Sequence, residues 1–359
     1  MQKLKPIAFV LPQFHPIPEN DAWWGKGFTE WTNVTKAKPL FKGHYQPHLP
    51  TDLGFYDLRL PEARLAQANL AKVYGIEGFC YYHYWFNGKR LLNQPIDGML
   101  KQKDLDMPFM LCWANENWTR RWDGKDDDVL IQQNYSFEDD ANHMRWLCQE
   151  VFSDSRYIKV DGKPVFVIYR DNLFPDLKKT AAIWRKIAIE EFNFPDLYLC
   201  LTESFYGEAN PESLGFDAAI EFSPLAVIKN KQPKPSKKHF LKLFNIQPKS
   251  LEIDFRDFEK GVKNCIERPI PGYKLFRSVT PSWDNTARKK KDWIVAKGSS
   301  PDLYYKWLLH IVKYFKPYSK DENFVFINAM NEWAEGNHLE PCIKYGTRYL
   351  EATKKALES

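Results

Sequence analysis

Eight short apolar runs, rich in β-branched and aromatic residues and ending in polar or aromatic ones, recur along the chain. They lie at 7–11, 76–82, 109–113, 165–169, 197–201, 218–222, 274–279 and 324–328. Segments with helical spacing of apolar residues lie between them, at 61–74, 137–151, 177–191 and 302–314. Continuous apolar runs fit strands buried on both faces, and intervening helices supply the layer that buries them. Strand followed by helix, eight times over, predicts an α/β fold: a single (β/α)8 TIM barrel over residues 1–359 as one domain. A doubly wound open sheet would want a glycine-rich phosphate turn after an early strand, and neither GxGxxG nor GxxxxGKS/T occurs. The long stretches after strand one (12–60) and strand six (223–272) are expected to be functional loops.

Composition narrows the class further. Apolar residues make up 44% of the 359, enough for a large core and too many for a disordered chain. No run of 18 apolar residues exists, so no transmembrane helix is expected. The N-terminal MQKLKPIAFVLPQF is cut by Pro6 and Pro12 and reads as the first strand rather than as a signal peptide, which predicts a cytoplasmic protein. Six scattered cysteines form no CxxC pair, and neither a disulfide framework nor a zinc site is indicated.

The net charge of +5 is local. Residues 223–251 carry seven lysines and no acid, and Arg288, Lys289, Lys290 and Lys291 add four more bases; without these eleven, acids outnumber bases. Bulk nucleic-acid binding is therefore a poor reading. Both basic stretches follow neighbouring strands, so together they are expected to attract an anion. A lipid-linked glycan, an acidic polysaccharide or an anionic inner-membrane surface would fit.

In such a barrel the carboxyl ends of the strands carry the chemistry. Here those ends hold Trp23, Trp24, Glu30 and Trp31 after strand one, and Tyr82, His83, Tyr84 and Trp85 at strand two. WANENWTRRW (113–122) follows strand three, Glu203 and Glu221 end strands five and six, and TPSWDN (280–285) follows strand seven. Aromatic residues amount to 16%, and the tryptophans at 23, 24, 31, 85, 113, 118, 122, 283 and 333 fall at this one end. Sugars offer C–H faces to aromatic rings and hydroxyls to carboxylates and amides, so this gathering predicts a carbohydrate site. The expected sugar contacts are Glu30, Trp31, His83, Tyr84, Trp113, Asn115, Glu116, Trp118, Glu203, Trp283, Asp284, Asn331 and Trp333. Because Tyr82, His83 and Tyr84 alternate along a strand, only alternate members can face the mouth.

The strongest motif is NEWAEG at 331–336. Glycosidic cleavage needs two carboxyl groups, one to protonate the leaving oxygen and one to act on the far side of the ring. Glu332 and Glu335, three residues apart after the last strand, are the expected catalytic pair. Crowding them among aromatics would split their pKa values. His44 and His48 have the spacing of a helical metal pair, but Pro47 stands between them. The triplet Asp126–Asp127–Asp128 imitates the metal-binding acids of nucleotide-sugar transferases and reads better as a solvated loop. No metal site or cofactor is expected.

The segments LPQFHPIPEND, WWGKGFTEWTNV, GHYQPHLPTDLGFYDLR, GIEGFCYYHYWFNGKRLL, CWANENWTRRWDG and NAMNEWAEGNHLEP resemble the glycoside hydrolase family 99-like proteins, over residues 6–351. Bacterial members are often labelled glycosyltransferases of lipopolysaccharide or surface-polysaccharide (O-antigen, capsule) biosynthesis. The resemblance implies a (β/α)8 barrel related to endo-α-mannosidases that acts with retention and without a metal. It implies that Glu332 deprotonates the sugar 2-hydroxyl, which attacks its own anomeric carbon. Glu335 would be the general acid and then the general base. Two alternatives remain open at this level: a metal-dependent nucleotide-sugar glycosyltransferase, and a non-catalytic glycan-binding barrel.

Overall fold

A computed structural model describes residues 3–120, 125–203, 210–229 and 252–359. Its main sheet is a nearly closed parallel barrel. The strands are β1 (Lys5–Val10), β2 (Gly78–Phe86), β3 (Phe109–Trp113), β4 (Lys163–Ile168), β5 (Tyr198–Glu203), β6 (Ala218–Glu221), β7 (Leu275–Phe276, then Ser278–Val279) and β8 (Phe324–Ile327). Each of the eight expected runs contributes to one strand. The run at 274–279 divides: Phe276 pairs with Ile220 of β6, and after Arg277 the chain changes sides, so that Ser278 pairs with Phe326 of β8. β8 in turn pairs with β1, where Lys5 lies beside Phe324. Strand seven thus closes the ring by serving β6 with its first half and β8 with its second.

Burial accounts for the unbroken apolar runs. Phe109 to Trp113, Val165 to Ile168 and Phe324 to Ile327 are each at most 1% exposed. Ten helices appear among the described residues. Two sit in the loop after β1: α1 (Pro18–Trp24) and α2 (Glu30–Lys36). The others are α3 (Pro61–Val73), α4 (Gln94–Lys101), α5 (Phe137–Trp146), α6 (Leu177–Glu190), α7 (Ser223–Ile228), α8 (Phe258–Ile266), α9 (Pro301–Tyr314) and α10 (Arg348–Leu357). Local signals set their starts. Proline stands in the first turn of α1, α3 and α9, where a missing N–H costs nothing, and Ser300 caps α9 through the Leu303 N–H. The segment expected as one helix at 137–151 is α5 followed by a π turn (Leu147–Val151). After β5 the described residues hold only a 3-10 turn (Pro211–Leu214).

The strand ends are tied to one another by side chains. Asn331, just past β8, accepts the Leu11 N–H (2.7 Å) through Oδ1 and donates from Nδ2 to the Leu11 carbonyl (3.0 Å) and the Tyr56 hydroxyl (3.1 Å). It thus completes the backbone pairing of the chain beyond β1. The loops after β6 and β7 share a two-stranded parallel ladder, Asp254–Asp257 on Ile294–Lys297. No helix among the described residues is long and apolar enough to cross a membrane.

The Leu11 pairing yields a stability prediction. Asn331→Ala leaves a buried N–H and a buried carbonyl without partners and should cost about 1–3 kcal/mol in denaturant unfolding. A change within ~0.5 kcal/mol would contradict the tie as described.

Candidate active site

The NEWAEG segment folds into a tight hairpin. Asn331–Glu332 pairs antiparallel with Asn337–His338 across a 3-10 turn, Trp333–Glu335. Residues three apart eclipse on a 3-10 turn, so Glu332 and Glu335 present their carboxyl groups to one side. Gly336 closes the turn at φ +57, and a Cβ there would stand 3.0 Å from the Asp284 Cβ. Both the left-handed backbone and the space require glycine.

Arg288, from the loop after β7, meets both acids. One guanidinium nitrogen donates to Glu332 (2.7 Å), and the other reaches Glu335 (2.8 Å). A third acid joins them: Glu30, at the start of α2 and 0% exposed, accepts from Arg288 and from the Ala334 N–H (3.1 Å). The Glu30 N–H itself bonds the Gln13 carbonyl (2.9 Å), which anchors α2 to the end of β1. Loops after β1, β7 and β8 therefore converge on one guanidinium.

Three carboxyl groups around one cation, in a largely dry setting, cannot all stay ionised cheaply. Burial pushes the Glu332 carboxyl up to about 8; Arg288 opposes this, while Glu335 and Glu30 add to it. Burial raises Glu335 as well, against the pull of Arg288. Arg288 stays protonated because Glu30, Glu335 and Glu332 outweigh its own burial. Burial therefore raises both acids of the hairpin, and Glu332 far enough to hold a proton near neutral pH.

Behind the hairpin lies a layer that holds it. Glu340 accepts from Trp333 Nε1 (2.7 Å), the Tyr56 hydroxyl (2.8 Å) and Gln67 (2.6 Å). Trp333 stacks on His338 at 3.8 Å between ring centroids, and His338 faces His48 at 2.9 Å. Burial lowers both histidines, His48 to about 4. His44 Nδ1 accepts the Leu40 N–H, so the proton lies on Nε2, which donates to Asp284 (2.6 Å). Burial would raise the Asp284 carboxyl, but hydrogen bonds from His44 and Thr286 hold it below its ordinary value.

In front of the hairpin opens a cavity of about 580 Å³ at the carboxyl ends of the strands. Of the residues singled out from sequence, Glu332, Glu335, Tyr84, Glu116, Trp118 and Trp283 line it. Trp118 packs edge-on against Trp23 (5.9 Å) and Tyr84 (5.2 Å), forming one aromatic wall.

Nine of the expected contacts lie elsewhere. Glu30 is sealed behind Arg288, and the Asn331 amide is spent on Leu11 and Tyr56. Trp31 and Trp333 pack on each other at 5.4 Å beneath the hairpin, and Asp284 is held by His44 and Thr286. On β2 the alternation selects Tyr82 and Tyr84 for the cavity and sends His83 outward to His143 (2.9 Å) and the Trp146 ring. Trp113, at the end of β3, packs outward against His143 and Trp184. Asn115 stitches adjacent loops, accepting the Arg170 N–H (2.8 Å) and donating to its carbonyl (2.7 Å). Glu203 is clamped by Arg268 and the Tyr273 hydroxyl (2.6 Å). The described tryptophans at the strand ends thus divide between those facing the cavity and those packed beneath or outside it.

Among residues not expected as sugar contacts, Tyr82, Tyr169 and Phe222 line the cavity, and Tyr56 and Glu340 hold its base. Arg288 belongs to the run expected to attract an anion; it serves the carboxyl groups instead. Of the lysine stretch only Lys229 is described, and Trp122 and the side chains of Asp126 and Asp127 also lie outside the described residues. The Asp128 carboxylate pairs with Arg120 at 3.0 Å. No cluster of three or more metal-ligating side chains occurs among the described residues.

A sequence model of the family described as Glycosyltransferase WbsX matches residues 6–353. Two curated relatives, both named "Uncharacterized protein WxcX" and from two strains of Xanthomonas campestris pv. campestris, are 42% identical over 352 residues. That is 98% of this chain but 49% of each relative, so the chain spans about half the length of the curated relatives it matches. Among solved structures, the GH99 endo-alpha-mannosidase from Bacteroides thetaiotaomicron aligns with a TM-score of 0.58 at 13% identity, covering 98% of this chain and 96% of that one. A "Glycoside hydrolase-like protein" aligns with a TM-score of 0.60 at 13% identity, covering 99% and 94%. These likenesses establish the (β/α)8 fold.

The proton on Glu332 makes stability depend on pH. The carboxyl titrates near 4.5 when unfolded and near about 8 when folded. Between those values the folded protein binds the extra proton, so this group makes stability fall as pH rises through the window. Glu332→Gln should therefore flatten the decline in unfolding free energy across that window relative to the unsubstituted protein. Parallel profiles would contradict the assignment.

Proposed function

We propose that this chain, which belongs to the WbsX glycosyltransferase family, is a carbohydrate-active enzyme that cleaves or transfers a glycosidic bond using Glu332 and Glu335. The observation that carries this reading is the pair itself: two carboxyl groups on one guanidinium, lining an aromatic-walled cavity. The family membership and the barrel shared with an endo-alpha-mannosidase support it.

Trp118 and Trp283 offer flat apolar faces for sugar rings, and Tyr82, Tyr84 and Tyr169 offer hydroxyls. In the retaining scheme that the family 99 resemblance implies, Glu332 takes the proton of the sugar 2-hydroxyl. The freed oxygen attacks the anomeric carbon while Glu335 gives a proton to the departing oxygen. Glu335 then deprotonates an acceptor hydroxyl, which opens the anhydro ring, and the 2-oxygen recovers its proton from Glu332. Water as acceptor gives hydrolysis and a sugar hydroxyl gives transfer, so one pair serves both outcomes. A carboxyl raised by burial is a stronger base once ionised, which suits Glu332 to a weakly acidic hydroxyl. A bound sugar, with its hydroxyl at Glu332 and its bridging oxygen at Glu335, favours the form with the proton on Glu335. We place the reaction in bacterial cell-surface polysaccharide metabolism, with an oligosaccharide or lipid-linked glycan as substrate.

On an oligosaccharide found to turn over, Glu332→Gln and Glu335→Gln should each lower kcat at least ~100-fold while binding is retained. Full activity in either variant would overturn the proposal. Glycan binding that survives both substitutions, with no oligosaccharide turned over by the unsubstituted protein, would identify a binding barrel.

A further inference from the structure

Among the described residues, six charged side chains line the cavity: Glu116, Arg170, Arg288, Lys289, Glu332 and Glu335. Five are matched among themselves. Arg170 pairs with Glu116, and Arg288 bridges Glu332 and Glu335. Lys289 has no carboxylate within ion-pair distance among the described residues, although its charge acts on Glu335 through space. It is half-buried. Nor is it carried on a loose segment: its N–H bonds the Asn285 carbonyl (3.0 Å), and its own carbonyl accepts from the buried Trp293 indole (2.7 Å). Partial burial of an unpaired ammonium is unfavourable, and a bound anion would relieve it.

The unsatisfied polar atoms of the cavity have the same character. Among residues that line it, Gln13 Nε2, Asn20 Nδ2 and Trp283 Nε1 are buried without a partner, and all three are donors. Gln13 and Asn20 are 5% and 1% exposed. Trp283 belongs to the same β7 loop as Lys289. A cavity walled by residues with buried unpartnered donors and carrying one ammonium without a counter-ion suits a ligand rich in acceptors and carrying negative charge.

We infer that the glycan taken by this cavity is anionic, with a carboxylate or phosphate group held by Lys289 on the Glu335 side of the site. The inference rests on the carbohydrate reading above and names the class of sugar within it. Arg288 cannot fill the role, because its guanidinium is committed to the catalytic pair and Glu30. A uronic acid and a glycosyl phosphate present the same chemistry to an ammonium, and the test separates them.

The test uses a Glu335→Gln background, which limits turnover, on an array carrying four kinds of probe. These are uronic-acid oligosaccharides, the same oligosaccharides with their carboxyls reduced to alcohols, glycosyl phosphates, and their dephosphorylated counterparts. Acid-bearing probes should bind at least ~10-fold more tightly than their neutral matches, as expected for a charge-assisted hydrogen bond. Adding Lys289→Gln should abolish that preference and Lys289→Arg should keep it, with melting temperatures confirming that both variants fold. Whichever acidic arm binds identifies the source of the charge. Neutral probes bound as tightly as acidic ones, or a preference untouched by Lys289→Gln, would overturn the inference and leave the carbohydrate reading standing. No binding to any probe would overturn both.

Discussion

The site depends on one guanidinium. From a third loop, Arg288 draws three carboxyl groups of two others into a space that burial alone would forbid them to share. Burying charges is costly, and removing one partner of such a cluster costs more than the cluster contributes to stability. Arg288 is therefore better regarded as setting the geometry and charge of the pair than as strengthening the fold. With one cation facing three acids, negative charge stays in excess, and burial favours a proton on Glu332. Two ordinary glutamates thereby become a coupled pair with raised carboxyl pKa values.

The barrel supplies what the guanidinium cannot. Strand seven closes the ring by changing partners at Arg277, which brings the loop carrying Arg288 beside the hairpin carrying Glu332 and Glu335. Asn331 fastens that hairpin to the end of β1, and the Glu340 carboxyl collects Trp333, Tyr56 and Gln67 beneath it. Burial raises Glu340 to about 7 while its three donors oppose the shift. The floor of the site is thus itself a buried polar network, in which each partner fixes another. Such networks confer rigidity only when nearly every member is satisfied. Glu340, Trp333 and Tyr56 all have partners in this network, whereas Gln13, Asn20 and Trp283, which line the cavity, each keep a buried donor without one.

Much of this was legible in the sequence, for reasons that are local. Parallel strands buried on both faces produce unbroken apolar runs, so the barrel could be counted strand by strand. NEWAEG was readable because its three-residue spacing maps directly onto a 3-10 turn ended by a left-handed glycine. What escaped was long-range or depended on layer. Arg288 lies 258 positions from Glu30 and 44 from Glu332, and in its own neighbourhood it looks like one more base in a basic run. Composition places tryptophans at the strand ends but not in a layer, so Trp31, Trp113 and Trp333 looked like sugar platforms and proved to be packing beneath or outside the site. On β2 the period of two was visible, yet only the fold decides that Tyr82 and Tyr84 face inward while His83 joins His143 behind the strand.

The most direct measurement is a carbon-13 NMR titration of the labelled glutamate carboxyls, with Glu332 and Glu335 assigned from their glutamine variants. The account predicts two interdependent transitions: one proton of the pair is lost only near pH 8, and replacing either glutamate shifts the curve of the other. Two independent transitions, both near the ordinary carboxyl value of 4.5, would contradict it.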